Sequence, residues 1–128
     1  MSDQASVRYL VEDVDQAVEF YVDRLGFEVE FDVAPHFVTV SRGPLRLMLN
    51  AVGGVGGASQ PMPDGRVPEP GGWSRIQLSV DDLEAEVERL RASGASFRNE
   101  IVSGKGGAQI LLDDPSGNAI ELFEPASG

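Results

Sequence analysis

The sequence has no cysteine, one histidine and one tryptophan among its 128 residues. Without cysteine, the chain cannot form disulfides or thiolate sites for metals or redox chemistry. The single histidine, His36, lies in a Pro35-His36-Phe37 segment, where a turn at the surface or at the rim of a pocket is expected. We assign no nucleophile–base–orienter triad to this sequence, so the commonest hydrolase arrangements are not expected.

Basic residues are also scarce, because 10 Lys and Arg stand against 21 Asp and Glu and give a formal net charge of −11. Nucleic acids and anionic membranes both require a basic surface, so neither is expected as a partner. The negative charge serves either solubility or the attraction of basic ligands. A neutral or cationic small molecule fits this charge better than a nucleic acid or a membrane does. No apolar run approaches the roughly 18 residues of a membrane span, and the first residues lack the pattern of a signal peptide. A cytoplasmic location is therefore expected.

The sequence contains an internal repeat. Residues 7–26 and 76–94 each read as an alternating strand, an acidic turn, an amphipathic helix and a glycine. In this comparison Asp13 corresponds to Asp82, and Gly26 corresponds to Gly94. Three short strands follow each helix, at residues 27–33, 37–41 and 45–50 in the first copy and at 97–102, 108–113 and 119–123 in the second. The sequence therefore predicts an α+β fold of two βαβββ modules, because each module must bury its helix against its own sheet.

The segment between the modules, residues 51–72, is rich in glycine and proline and predicts a linker. It is longer than most compact connections, so it either crosses a dimer or covers the mouth of a pocket. We predict one domain over residues 1–128, with module one at 5–50 and module two at 73–125. The glycine-rich residues 103–107 lack the spacing of a phosphate-binding loop and predict a hairpin.

Two segments carry a family resemblance: AVEFYVDRLGF after the first strand and DDPSGNAIELFEP near the end. With the repeated βαβββ module, they resemble the glyoxalase, bleomycin-resistance and extradiol-dioxygenase superfamily, which has the vicinal oxygen chelate fold. The resemblance covers nearly the whole chain. It implies that the two modules form an open, barrel-like sheet with a shared concave cavity, and it implies a homodimer. It does not define the function, because the family includes metal enzymes and non-catalytic drug-binding proteins.

In metal-dependent members of that family, each module supplies a histidine from its first strand and a glutamate from its last. The resemblance places Ser6 and Arg75 at the two histidine positions, and Met48 and Glu121 at the two glutamate positions. Leu47 replaces Met48 if the alignment shifts by one residue. Only Glu121 is a good ligand, and a guanidinium repels a cation, so no metal and no other cofactor is expected. We expect Arg75 and Glu121 to form an ion pair that either neutralises a partly buried cavity or recognises a ligand.

Strand alternation extends the candidate ligand-binding set to residues that share a sheet face with these four positions. Trp73 stands at the start of a strand beside the linker, where it either stacks on a planar ligand or packs beneath the linker. The complete candidate set is Ser6, Arg8, Thr39, Arg46, Met48, Asn50, Trp73, Arg75, Gln77, Gln109, Glu121 and Phe123.

Three functions remain open at this level. The first is a metal-independent protein that binds a drug or metabolite and can sequester it in this way. The second is a metal-free isomerase, cyclase or lyase for a small organic acid or polyketide-like intermediate, with Glu121 as acid or base and Arg75 or Arg46 holding an oxyanion. The third is a metal-dependent lyase or dioxygenase, which requires ligands from elsewhere, such as His36 or a partner chain.

Overall fold

The structure is a computed structural model, and it describes residues 4–54 and 56–127. Contacts within the chain divide it into two compact units, the first ending at Gly71 and the second beginning at Gly72. Each unit has its own mixed sheet with a helix on one face, as the two predicted modules require. The two sheets are not closed. In the described residues, no helix is both long and apolar enough to cross a membrane.

The first unit follows the predicted order of one strand, one helix and three strands. Its sheet has the order β1-β4-β3-β2, in which β1 runs parallel to β4 and the other pairs are antiparallel. The elements are β1 (Ala5–Val11), α1 (Val14–Glu19) continued by a π-helical turn (Phe20–Arg24), β2 (Glu28–Val33), β3 (Phe37–Arg42) and β4 (Leu45–Ala51).

Helix α1 begins and ends with the signals that the sequence predicted. The Asp13 side chain accepts a hydrogen bond from the backbone N–H of Gln16 at 3.0 Å, which caps the first turn. Gly26 follows the last turn with a φ of +74°, a conformation that favours glycine. The helix packs on β3 and β4. The buried side chains of this core include Val14, Ala17, Tyr21, Leu25, Val38, Val40, Leu47 and Leu49.

The second unit repeats this plan, with one strand divided in two. Its sheet has the order β5-β9-β8-β6, β7 also pairs with β8, and β5 runs parallel to β9. The elements are β5 (Arg75–Ser79), α2 (Leu83–Ala92), β6 (Ser96–Phe97), β7 (Val102–Gly104), β8 (Gly107–Asp113) and β9 (Ala119–Pro125). Residues 103–107 lie in the β7–β8 hairpin, as predicted.

The prediction of one continuous strand at residues 97–102 was wrong. The backbone N–H of Arg98 donates to the carbonyl of Leu111, but the N–H of Leu111 donates to the side-chain oxygen of Asn99, each at 2.9 Å. A side-chain amide therefore takes the place of a backbone acceptor and interrupts the ladder. The alternation of apolar and polar residues does not reveal that a side chain replaces a backbone acceptor in the strand pairing.

The beginning of the 51–72 segment is tied to the end of β4. The hydroxyl of Ser59 donates to the carbonyl of Ala51 at 2.5 Å, and a short 3₁₀ turn (Gly57–Ser59) lies beside it. The side-chain amide of Gln60 donates to the carbonyl of Gly54 at 3.1 Å. These bonds order the start of the segment against its own unit. Its roles over a pocket or across a dimer stay predictions.

Candidate functional site

Both units use the same strand register at the candidate positions. Arg8 lies opposite Met48 in the parallel β1–β4 pair, and Gln77 lies opposite Glu121 in the parallel β5–β9 pair. The β1–β4 and β5–β9 pairs therefore have the same register, which makes Met48, rather than Leu47, the counterpart of Glu121. Two residues before Arg8 and Gln77, on the first strand of each unit, lie the other two candidates, Ser6 and Arg75.

That other pair consists of Ser6 and Arg75, at the positions where the resemblance expects histidine. Ser6 precedes Arg8 by two residues on β1, and Arg75 precedes Gln77 by two residues on β5, so each shares a face with its neighbour. Ser6 is exposed. Arg75 reaches along its strand and contacts the side chain opposite Gln77.

The expected ion pair between Arg75 and Glu121 is present. Glu121 is only 6% exposed, and its Oε1 accepts hydrogen bonds from Nε and Nη2 of Arg75 at 3.1 and 3.0 Å. Its Oε2 accepts a third bond from Nε2 of Gln77 at 2.7 Å. Both carboxylate oxygens are thus engaged by donors of the same unit, which is the arrangement that a buried carboxylate needs.

Trp73 is 69% exposed, and its two expected roles, stacking on a planar ligand or packing beneath the linker, stay predictions. The guanidinium carbon of Arg98 lies 4.8 Å from the centroid of the indole. Arg98 is itself held by the carboxylate of Asp113 at 2.7 Å and by the carbonyls of Gly72 and Gly117 at 2.9 and 3.0 Å. Arg98 was not among the candidates predicted from the sequence. Strand alternation could have suggested it, because Arg98 follows Phe97 and therefore points to the opposite face of the sheet.

The remaining candidates of the second unit lie on the same face as Glu121. Gln109 of β8 is opposite Phe123 of β9, two residues along both strands from the pair of Leu111 and Glu121. The structure therefore brings Gln77, Gln109, Glu121 and Phe123 onto one side of the sheet. This alternation agrees with the face assignment made from the sequence.

In the first unit, Arg8, Met48 and Thr39 form a row across three strands. Thr39 lies opposite Met48 in the β3–β4 pair, and Arg8 lies opposite Met48 on its other side. Nη2 of Arg8 donates to the Met48 sulfur at 3.5 Å, which is a weak acceptor. Thr39 is buried, Met48 is half-buried and Arg8 is exposed.

Arg46 and Asn50 share this face and are less completely satisfied. Nε of Arg46 lies 3.4 Å from Oε2 of Glu30, yet it is buried and makes no hydrogen bond within the described residues. The same holds for Oδ1 of Asn50, a residue that is 6% exposed. The 3.4 Å pair is thus a Coulombic contact without hydrogen-bond geometry.

The four positions that the resemblance assigns to metal ligands do not fit a divalent transition metal. In the second unit, the Glu121 carboxylate is already bound by a guanidinium, whose charge opposes a cation. In the first unit, the positions hold an exposed hydroxyl and a thioether, which are poor ligands for such an ion. Over residues 4–54 and 56–127, no group of three or more His, Cys, Asp or Glu side chains is arranged to hold a metal. His36 is exposed in the β2–β3 turn.

An open groove of about 440 Å³ lies elsewhere, beside the end of α2. Its charges are largely paired, because Arg91 lies 3.2 Å from Glu100 and also covers the Phe97 ring at 5.2 Å. It contains none of the residues predicted to bind a ligand. The sheet faces, rather than this groove, carry the candidate chemistry.

Comparison with known proteins gives one family. The model of the Glyoxalase/Bleomycin resistance protein/Dioxygenase superfamily matches residues 4–122. The crystal structure of a member of this superfamily from Sphaerobacter thermophilus DSM 20745 is 30% identical, with a TM-score of 0.76, and the match covers 97% of this chain and 98% of that one. TnmS3, an antibiotic binding protein from Streptomyces sp. CB03234, is 25% identical, with a TM-score of 0.73 and 98% of each chain covered.

A shorter match links the chain to an enzyme. The lactoylglutathione lyase of Haemophilus influenzae is 37% identical over 57 residues, which are 43% of this chain and 42% of that protein. The chain thus aligns with about two fifths of the length of this curated relative.

Proposed function

The chain belongs to the Glyoxalase/Bleomycin resistance protein/Dioxygenase superfamily, and on that premise we propose that it binds a small organic molecule without a metal ion. The ligand is a drug or a metabolite, and the protein acts by sequestering it. The sheet faces described above provide the binding groups.

One observation carries this proposal. Glu121 is the single strong ligand among the four positions where metal-dependent relatives bind their ion, and both of its oxygens are already engaged by Arg75 and Gln77. A metal at this carboxylate requires the displacement of at least one of these donors and the approach of a cation to a guanidinium. The geometry therefore supports a site whose charges balance without an added ion.

The exposed aromatic groups support an organic ligand. Trp73 offers a ring that is 69% exposed, and Phe31 offers one that is 57% exposed. Exposed aromatic rings beside polar groups are typical of sites for planar molecules. TnmS3, whose chain matches this one along nearly its whole length, is an antibiotic binding protein, and this adds support to the same class of function.

The alternative, a metal-free enzyme that uses Glu121 as acid or base, has less support. A general base needs a free lone pair within reach of the substrate proton. Here three bonds occupy most of the roughly four acceptor sites of the carboxylate, and Glu121 is only 6% exposed, so the one remaining site on Oε2 has little access to a substrate. The shorter match to lactoylglutathione lyase keeps an enzymatic function as the alternative outcome of the test.

We further propose that the protein is a cytoplasmic homodimer. Strand β2 lies at one edge of the first unit's sheet, and its Val29 is 48% exposed. Open sheet edges with exposed apolar side chains favour pairing with another chain. Light scattering coupled to size exclusion measures the mass in solution, and a monomeric mass at all concentrations contradicts the dimer.

Calorimetric titration with basic antibiotics, planar antibiotics and aromatic metabolites tests the proposed binding, in buffer with and without a chelator. We expect at least one compound to bind with an affinity that the chelator leaves unchanged. Binding that requires an added divalent ion contradicts metal independence. Absence of binding, together with turnover of a compound that Glu121→Gln abolishes, supports the enzyme instead.

A further inference from the structure

Four side chains form one row across the sheet of the first unit. Arg8 of β1 lies opposite Met48 of β4, Met48 lies opposite Thr39 of β3, and Thr39 lies opposite Phe31 of β2. Because neighbouring strands are about 4.8 Å apart, the three steps separate the backbone of Arg8 from that of Phe31 by about 14 Å. The row begins with a cation and ends with an aromatic ring.

A bulge in β2 places the aromatic ring in this row. Val29 pairs with Val40, and the next regular pair would set Glu30 opposite Thr39, but the register shifts and Phe31 takes that position. Glu30, the extra residue, instead lies beside Arg46. Bulges of this kind redirect side chains and occur often beside functional sites. The ring of Phe31 also packs against Phe37, with centroids 5.8 Å apart, so it has a fixed support.

The cation at the other end differs from the other arginines on the two faces. Arg46, Arg75 and Arg98 each lie 2.7 to 3.4 Å from a carboxylate of their own unit. Arg8 has no carboxylate within ion-pair distance among the residues that the structure describes, and its recorded side-chain bond goes to the sulfur of Met48. A thioether satisfies a guanidinium poorly, so the fork of Arg8 is available for a stronger acceptor.

The corresponding position of the second unit makes the contrast sharper. There Gln77 replaces Arg8, and Glu121 replaces Met48, so that the second unit pairs a neutral donor with a buried anion. The first unit instead pairs an exposed cation with a neutral sulfur. In the second unit Arg75, two residues before Gln77, balances the charge of Glu121, whereas in the first unit no carboxylate of the described residues lies within ion-pair distance of Arg8.

From these observations, and resting on the proposed binding function, we infer that the ligand is an organic acid whose anionic group binds Arg8 while its ring packs on Phe31. Between these two ends, the half-buried Met48 can contact the ligand, whereas Thr39 is 3% exposed and only sets the spacing of the row. The Arg8 side chain already reaches to Met48 on the next strand, so about 10 Å of the roughly 14 Å remains, and a molecule of about that length with a planar apolar body and a terminal carboxylate matches it. Although the chain is strongly acidic overall, the local charge of this face favours an anion.

Matched probes test this ligand class. We would titrate para-biphenylcarboxylate and para-biphenylcarboxamide, which share size and ring system and differ in charge, into wild-type protein by calorimetry. A charge-assisted bond to Arg8 predicts that the carboxylate binds about tenfold to a hundredfold more tightly than the carboxamide. Raising the salt concentration reduces this preference, because Arg8 is exposed.

Substitutions test whether Arg8 causes the preference for the carboxylate over the carboxamide. Arg8→Gln, which introduces the residue found at the equivalent position of the second unit, should remove the preference for the carboxylate without impairing folding. Arg66→Gln removes another guanidinium, whose side chain is 82% exposed, and should leave the preference intact. Phe31→Ala should weaken both probes alike, by about threefold to thirtyfold. Circular dichroism confirms that each variant is folded.

The outcomes separate this inference from the binding function itself. Equal affinity of wild-type protein for the two probes, or a preference that survives Arg8→Gln, overturns the inferred ligand class. If neither probe binds while an antibiotic or a neutral metabolite does, the acid is wrong and the binding function stands. If no compound of either set binds, the proposed function fails as well.

Discussion

Replacement of Arg75 by methionine is the most informative perturbation of the Glu121 cluster. The change keeps much of the apolar stem and removes the guanidinium that donates two hydrogen bonds to Oε1. Glu121 is 6% exposed, so its carboxylate then keeps only the bond from Gln77 and little access to water. Removal of one partner from a buried ion pair costs about 3–5 kcal/mol.

The expected loss lies below that range, because the Arg75 side chain is 30% exposed and part of its attraction is already screened by solvent. We expect Arg75→Met to lower the free energy of unfolding by roughly 2 kcal/mol. Glu121→Leu should lower it by about 1–2 kcal/mol, since the remaining guanidinium can reach water. The double variant leaves no buried charge at this point, and we expect it to be more stable than the sum of the two changes predicts, by about 1–2 kcal/mol.

Urea unfolding followed by circular dichroism measures these four proteins, and Arg66→Met serves as the control. Arg66 and Asp64 are 2.8 Å apart, but their side chains are 82% and 55% exposed, so loss of this pair should change the stability by less than about 0.5 kcal/mol. If Arg75→Met is as harmless as the control, or if the two single changes add without coupling, Glu121 does not depend on Arg75 and the reasoning fails.

Two further predictions concern turns of the second unit. Gly107 has a φ of +147°, and a Cβ there would collide with the carbonyl of Glu124. Gly107→Ala should therefore cost more than about 2 kcal/mol of stability and lower the midpoint of thermal unfolding. Gly106→Ala is the control, because a Cβ at Gly106 meets nothing within 4 Å and the change should have little effect. Asp114 is 4% exposed and accepts at least three hydrogen bonds, two of them from Asn118, so Asp114→Ala should cost about 2–4 kcal/mol. Asp114→Asn keeps an oxygen for the backbone donors and should lose less; equal losses for the two variants contradict this assignment.

Much of the fold was predictable because its signals are local. The cap at Asp13 and the positive φ of Gly26 are set by neighbouring residues, and both appear where the repeat placed them. Strand alternation also gave the face of Glu121 correctly, since successive side chains point to opposite sides of a sheet. The shared register of the two units follows from the repeat itself. The contact of Arg75 with Glu121 was predictable because the family resemblance places both residues at the metal-ligand positions of the second module.

The features that escaped prediction depend on contacts between distant residues. The break between β6 and β7 arises because the side chain of Asn99 replaces a backbone acceptor, which no periodicity reveals. The bulge that brings Phe31 opposite Thr39 depends on strand pairing, and it changes which side chain joins the row. In the enzyme alternative, the sequence suggested Arg75 or Arg46 as the residue that binds an oxyanion. Both lie beside carboxylates of their own units, so Arg8 is the better candidate.

Elemental analysis of protein purified without a chelator tests metal independence most directly, when it is performed in parallel on wild-type protein and Glu121→Gln. We expect both proteins to contain far less than one equivalent of zinc, nickel, iron or manganese, and we expect added ions not to bind at Glu121. Stoichiometric metal in the wild-type protein that is lost in Glu121→Gln would contradict the account, because it would make this carboxylate a metal ligand instead of the acceptor for Arg75 and Gln77.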